Sequence, residues 1–308
     1  MRQMNIVFFG TPHIAAEILK YLLEHQILIS AVVTQPDRPK GRSGAPTPSA
    51  VKEVATNANL PILQPEKASQ EGFLEALRKL EASLYVVVAF GQILPQKLLD
   101  IPPLGCINVH ASLLPKYRGA APMQRCLMDG VKETGVSIQK MVRQLDAGDV
   151  IAETRIPVSI EMTFGELQNK ISEISKPLLL RVIQSYQKGV PQAVPQNPDQ
   201  VTMAPKIETE ECEIDWSWPA EKIHNKVRAL SPRPGAWCWV EIEGEKKRLK
   251  ILRTSVDPRK GIPRTFSFKE GLVYCGDKAI LLLEVQPEGK KAMSAADWLR
   301  GLKISPVI

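Results

Sequence analysis

The sequence predicts an α/β domain, a mostly parallel sheet with helices on both faces, followed by a smaller domain of short β-strands. Three observations carry this expectation. Apolar runs of strand length alternate with amphipathic helical stretches as far as Tyr186, the pattern of strands buried on both faces. Residues 190–198 then hold three prolines and no periodicity, which marks an extended connector. Beyond Pro205 the runs become short and β-rich, broken by Gly, Pro and charge.

The elements follow in order. Residues 5–9 form an apolar run that ends at Gly10. Thr11 and Pro12 come next, a hydroxyl N-cap with proline in the first turn, and Ile14, Ile18, Leu19 and Leu22 then recur at helical spacing. A second apolar run at 27–33 completes a strand–helix–strand unit. The alternation continues with a helix at 49–58, a strand at 61–63, a helix at 71–80 and a buried strand at 84–89. Strands at 106–109, 135–142 and 150–156 follow, with a helix near 121–128 among them. Thr163 and Glu166 are spaced as a capping box that opens a long helix toward Tyr186. After the connector comes one helix at 220–229, then strands at 237–242, 248–253, 271–274 and 279–286. Their close spacing suggests a small antiparallel barrel or sandwich. The expected organisation is a domain at 1–189, a Pro-rich linker at 190–206 and a second domain at 207–308.

The 308 residues are 44% hydrophobic and 24% charged, ordinary for a globular chain and enough for two cores. The first residues lack a signal-peptide core, and no apolar run approaches the ~18 residues a membrane helix needs. Cys106, Cys126, Cys212, Cys238 and Cys275 show no C-x-x-C spacing and read as reduced thiols. A cytoplasmic protein with no membrane partner and no metal is expected. The net charge of +7 is unevenly spread. From Val190 to Glu221 one basic residue faces seven acidic, a net of −6; from Lys222 to Lys303 eighteen basic face nine acidic, a net of +9. A basic C-terminal third suits a polyanion-facing surface, although a lysine-rich solvated surface would read the same way.

The strongest chemical constellation is Asn108-Val-His110-Ala-Ser112-Leu113-Leu114-Pro115-Lys-Tyr-Arg-Gly119, with Asp146-Ala-Gly-Asp149 further on. Side chains alternate along a strand, so Asn108 and His110 share a face at its carboxyl end, where open α/β sheets hold their ligands. A carboxamide, an imidazole and a carboxylate supply a hydrogen-bond donor, a titratable acid and a tuning charge; a satisfied structural histidine is the plain alternative. Other chemistries fit worse. Ser112 lies in S-L-L-P and not in a G-x-S-x-G elbow, so a Ser-His-Asp hydrolase lacks its nucleophile turn. Only four histidines exist, none spaced with a second ligand as zinc requires. The first strand ends in a single Gly10 with no G-x-G-x-x-G, which argues against a dinucleotide site.

These motifs resemble the signature of the folate-dependent formyltransferases. Phe9-Gly-Thr-Pro12, Thr34-Gln-Pro-Asp-Arg-Pro-Lys-Gly-Arg42, Val88-Ala-Phe-Gly-Gln-Ile-Leu-Pro95 and Gly119-Ala-Ala-Pro-Met-Gln124 are similar to the members that act on charged initiator tRNA. The similarity continues in Ile214-Asp-Trp216 and Val227-Arg-Ala-Leu-Ser-Pro-Arg-Pro-Gly235-Ala-Trp237, and so spans nearly the whole chain. The resemblance implies a Rossmann-like catalytic domain and an OB-like C-terminal barrel. It also implies transfer of the formyl group of 10-formyltetrahydrofolate to the α-amino group of methionyl initiator tRNA, and a monomer is expected.

By this resemblance Asn108, His110 and Asp146 form the catalytic trio. His110, charged through nearby Asp146, is expected to donate to the oxyanion of a tetrahedral intermediate with Asn108 as second donor, since a close carboxylate favours the imidazolium. The folate is expected against Phe90, Gly91, Ile93 and Leu94 and against Ser112, Leu113, Leu114 and Pro115. The tRNA is expected to meet the loop carrying Arg38, Lys40 and Arg42, and a C-terminal set of Lys206, Arg228, Arg233, Lys246, Lys247 and Arg248. Ser43-Gly-Ala-Pro46 stands where related chains often carry further lysines, which shifts the weight of the loop onto Arg42. Trp216, Trp218, Trp237 and Trp239 are expected to pack in the core or between domains.

Overall fold

The computed structural model describes residues 4–39 and 44–302. The chain forms two compact units, one of residues up to Gly119 with Gly135–Ile156 and Asn169–Met203, the other of Ala120–Thr134, Pro157–Gln168 and the chain from Ala204 on.

In the first unit β1 (Ile6–Gly10), α1 (His13–Glu24) and β2 (Ile29–Val33) make the opening strand–helix–strand. The short pair β3 (Arg38–Pro39) and β4 (Pro46–Thr47) precedes α2 (Ala50–Asn57), β5 (Ile62–Leu63), α3 (Glu71–Lys79) and β6 (Leu84–Val88). Then come α4 (Gln96–Leu99), β7 (Cys106–His110), β8 (Glu133–Lys140), β9 (Val150–Pro157) and α6 (Phe164–Lys188), while α5 (Pro122–Met128) between β7 and β8 and the start of α6 belong to the second unit. Seven strands join in the order β5-β2-β1-β6-β7-β8-β9. The pairs from β5 to β7 are parallel and β7–β8 is antiparallel, so the sheet is mostly parallel as the continuous apolar runs imply. Every residue of β1 and β6 is buried. α3 covers this core with Phe73, Leu74 and Leu77, each worth ~1.5–3 kcal/mol of apolar burial.

Local signals met different fates. Ser49 caps α2 by accepting from the Lys52 amide at 3.0 Å. Thr163 and Glu166 form the capping box: the Thr163 hydroxyl accepts from the Glu166 amide, and Glu166 accepts from the Thr163 amide at 2.8 Å. Thr11 does not cap α1. Its hydroxyl donates instead to the Phe90 carbonyl at 2.8 Å, and Pro12 occupies the cap position. A bond to a distant loop has replaced the local one, and it ties the chain after β1 to the chain after β6.

The second unit holds α7 (Ala220–Leu230), then β10 (Ala236–Ile242), β11 (Glu245–Asp257), β12 (Phe266–Ser267), β13 (Leu272–Tyr274), β14 (Ala279–Pro287), β15 (Met293–Ser294) and α8 (Ala295–Arg300). The strands form one antiparallel sheet, β10-β11-β14-β13-β12, with β15 beside β14. Register shifts on either side of Arg253 let the long β11 bend, which curls the sheet toward a half-barrel. Trp216, Ile223, Val227, Ile251, Val285 and Trp298 belong to its core. The expected boundary at 190–206 and the observed units differ, because residues 120–134 and 157–168 fold with the C-terminal part. Arg228 explains much of this, since its guanidinium donates to the carbonyls of Leu127, Ser159 and Met162. Residues 194–203 are extended but not loose: Val194 exchanges backbone bonds with Val150, and Arg118 bridges to Met203.

Among the described residues no helix is long and apolar enough to cross a membrane. All five cysteines are free and buried. Burial pushes the Cys126 thiol up to about 11 and those of Cys238 and Cys275 up to about 12, because a thiolate would be desolvated there. Thiol titration with a chromogenic disulfide at pH 8 should therefore run ~10²-fold slower on the native protein than on the denatured chain, which should release five equivalents. Rapid native labelling of any cysteine contradicts this packing.

Candidate active site

β7 carries Asn108 and His110 on one face, and its antiparallel neighbour β8 sets Gln139 directly across from Asn108. His110 is buried. Its Nε2 lies 2.9 Å from the Tyr117 carbonyl, and a carbonyl only accepts, so Nε2 carries the hydrogen. The other ring atom, Nδ1, stands 3.6 Å from Asp146 Oδ2. That contact is attractive only when Nδ1 also bears a proton.

Asp146 lies in the turn after β8, in the left-handed region at φ +48°. Its Oδ2 accepts from the Gly119 amide at 2.8 Å and its Oδ1 from Gln139 Nε2 at 2.9 Å. The carboxylate is thus held from both sides. Gly148 closes the same turn so tightly that a Cβ there would stand 1.8 Å from the Lys140 carbonyl, so only glycine fits. Asn108 is half-buried, and its amide has no hydrogen-bond partner among the described residues, which leaves it available to a ligand. Of the three residues predicted from sequence, His110 and Asp146 face one another, and Asn108 lies two residues from His110 on the same face of β7. Gln139, the Gly119 amide and Gln196 were missed, since strand register and a linker's path cannot be read from spacing; alternation along β8 was the one available hint for Gln139.

A cavity of about 200 Å³ opens beside Asp146 and Gln139, lined further by Ile93, Leu94, Met141, Val142 and Leu145. Ile93 is 87% exposed, and Val142 and Leu145 also show apolar surface at its rim, an arrangement typical of an apolar ligand site. Of the residues expected against the folate, Ile93 and Leu94 line this cavity. Phe90, Gly91, Ser112, Leu113, Leu114 and Pro115 lie outside this lining. The Phe90 ring is buried edge-on to Phe9 at 5.5 Å, and only its carbonyl takes part in the loop, accepting from Thr11 and Gln35. Ser112 is buried with its hydroxyl donating to the Lys116 carbonyl, while its own carbonyl and the Leu114 amide are pinned by Ser137. Gly91 contributes a left-handed turn at φ +89°. The S-L-L-P segment shapes the strand end and presents little side chain to the cavity.

The cationic candidates divide sharply. Lys206, Arg233, Lys246, Lys247 and Arg248 are exposed. Arg38 is exposed and paired with Glu66. Lys40 and Arg42 lie outside the described residues. Arg228 is a correction: it is 3% exposed, and its donors are spent on buried carbonyls and Asn225, so it holds the fold and meets no polyanion. The tryptophans also divide. Trp216 is core, but Trp239 is 36% exposed on the outward face of β10, edge-on to Trp237. Lys246 lies 4.9 Å over the Trp239 ring and Arg248 4.9 Å over Trp237, a stripe of alternating aromatic and cationic groups. No group of three His, Cys, Asp or Glu side chains is placed to hold a metal among the described residues.

An imidazole, a carboxamide and a fixed carboxylate at the carboxyl edge of such a sheet can stabilise an oxyanion and move a proton, which is acyl-transfer chemistry. Residues 4–183 match the family model for formyl transferase, and residues 206–303 match that for the formyl transferase C-terminal domain. The chain belongs to the formyl transferase family. Within it, the chain is 49% identical to the methionyl-tRNA formyltransferase of Protochlamydia amoebophila, over 98% of this chain and 96% of that protein. Among solved structures it resembles HypX from Aquifex aeolicus in complex with tetrahydrofolic acid (TM-score 0.66, 17% identity, 98% of this chain, 49% of that one). It also resembles methionyl-tRNA formyltransferase from Clostridium thermocellum (TM-score 0.58, 19% identity, 82% of this chain, 93% of that one). At those identities the two structures attest the fold.

Proposed function

We propose that this chain transfers the formyl group of 10-formyltetrahydrofolate to the α-amino group of methionyl initiator tRNA. The observation that carries the proposal is the approach of His110 to Asp146, which itself lines a cavity with an apolar rim, while the unpartnered side-chain amide of Asn108 lies two residues from His110 on the same strand. The amine nitrogen bonds to the formyl carbon, and the carbonyl electron pair moves to oxygen. Asn108 and a protonated His110 Nδ1 donate to that oxyanion. The amine proton passes to the Asp146 carboxylate, directly or through water. Collapse breaks the bond to N10 of the folate, which takes up a proton as it leaves. With Nε2 committed to Tyr117, Nδ1 is the ring atom that donates to the oxyanion.

The cavity's apolar rim at Ile93, Val142 and Leu145 suits a flat pterin, with backbone groups of the loop after β8 reading its polar edge. Lys206, Arg233, Lys246, Lys247 and Arg248 act as phosphate contacts, and Trp239 is placed to stack on an unpaired base. Arg38, Lys40 and Arg42 are proposed contacts of the loop after β2. A catalytic domain at 1–189, a linker at 190–206 and a tRNA-binding domain at 207–308 remain the functional division, acting as a monomer in the cytoplasm, where five reduced thiols persist.

His110→Ala and Asp146→Asn should each lower turnover by ~10²–10⁴ in formylation assays while the proteins remain folded. Near-full activity in either variant, or preferential formylation of a sugar amine assayed alongside, overturns the proposal. A second outcome separates surface from core. Lys246→Ala or Arg248→Ala should each reduce the slope of log affinity for tRNA against log salt by about 1. Arg228→Ala should instead destabilise the fold by ~1.5–3 kcal/mol, since the buried guanidinium that ties the Leu127, Ser159 and Met162 carbonyls together is lost. A salt-independent affinity contradicts the basic surface.

A further inference from the structure

Gln196 lies in the Pro-rich stretch that sequence marks only as a connector, yet its side chain occupies the centre of a polar cluster behind Asp146. Its Oε1 accepts from both Nε and Nη2 of buried Arg118, at 3.0 and 2.7 Å. Its Nε2 donates to the carbonyls of Asp146 at 2.8 Å and Gly148 at 2.7 Å, and lies 3.3 Å from Gln139 Oε1. The orientation of the amide is fixed, because the opposite one would set its oxygen against two carbonyls and its hydrogens against a guanidinium. The same stretch is anchored at both ends. Val194 pairs with Val150, and the Thr202 hydroxyl accepts from the Tyr117 amide at 2.8 Å.

We infer that Gln196 is a positioning residue for formyl transfer, a strap that holds the left-handed turn by the carbonyls of Asp146 and Gly148 and so fixes the carboxylate opposite His110 Nδ1. This rests on the proposed role of Asp146. Left-handed backbone is disfavoured for aspartate, and the two carbonyls that Gln196 holds are that of the residue that adopts it and that of Gly148, two residues on. Without those bonds the turn is free to relax, and the carboxylate that faces Nδ1 at 3.6 Å swings with it. Gln139, Arg118 and Gln196 thus act through Asp146, and none of them touches the reacting atoms. Thr202 performs the parallel service for His110 by anchoring Tyr117, whose carbonyl accepts from the ring.

The test uses full-length Gln196→Ala, Gln196→Glu and Asp146→Asn proteins and the double variant Gln196→Ala/Asp146→Asn. Gln196→Glu keeps a partner for Arg118, and therefore the fold, but turns an acceptor toward two carbonyls. Both Gln196 variants should lose roughly 10- to 100-fold in kcat while KM for the folate and for the charged tRNA stays within about twofold. In the double variant the Gln196 change should cost nothing beyond Asp146→Asn alone. Wild-type kcat in Gln196→Glu, a loss confined to KM, or fully multiplicative losses in the double variant overturn the inference. If Asp146→Asn is inactive and Gln196→Ala active, the strap alone is wrong; if Asp146→Asn is active, the proposed mechanism fails and the strap with it.

Discussion

One carboxylate in an unfavourable backbone conformation is the constraint on which the catalytic unit turns. Asp146 adopts a left-handed φ that costs an L-residue roughly 1–2 kcal/mol, and it does so with both oxygens and its carbonyl bonded. Each net hydrogen bond is worth about 0.5–1.5 kcal/mol, more where one partner is charged, so the three together exceed the strain. The contacts come from separate places in the chain: the Gly119 amide after β7, Gln139 on β8 and Gln196 beyond α6. A short-range turn is therefore determined by long-range packing. The imidazole opposite it is fixed in the same manner, with Nε2 bound to the Tyr117 carbonyl and Nδ1 left toward the carboxylate.

Much of this was legible in the sequence, for identifiable reasons. Buried parallel strands are continuous apolar runs, so β1 and β6 announce themselves, and a two-residue period sets Asn108 and His110 on one face of β7. The capping box at Thr163 is a local device and survives intact. What escaped depends on pairing register or on tertiary competition. Thr11 abandons its cap for the Phe90 carbonyl; Phe90 sends its ring into the core; Gln139 faces Asn108 only through the β7–β8 register. Arg228 and Arg248 look alike in a charge count, yet one is bonded to buried carbonyls and the other lies over an indole. Burial, which composition does not report, decides between the two roles.

The connector shows the same lesson at larger scale. Three prolines remove backbone donors and favour an extended path, which correctly excludes a helix there. They do not reveal that the extended chain returns to β9 through Val194 or that Gln196 reaches the turn behind the carboxylate. Composition described how the segment runs, and side-chain partners define what it holds. The outward stripe of Trp239, Lys246 and Arg248 likewise depends on the alternation of β10 and β11, which turns their other face into the core of the curled sheet.

The central claim is spatial: one carbonyl carbon must be held between Asn108, His110 and Asp146. A crystal structure with a non-transferable formyl-folate analogue measures this directly. The account predicts the formyl oxygen within about 2.7–3.1 Å of the Asn108 amide, within reach of His110 Nδ1, with the pterin in the cavity between Ile93 and Leu145. A folate bound elsewhere, or one seated there with its formyl group turned away from these side chains, contradicts it.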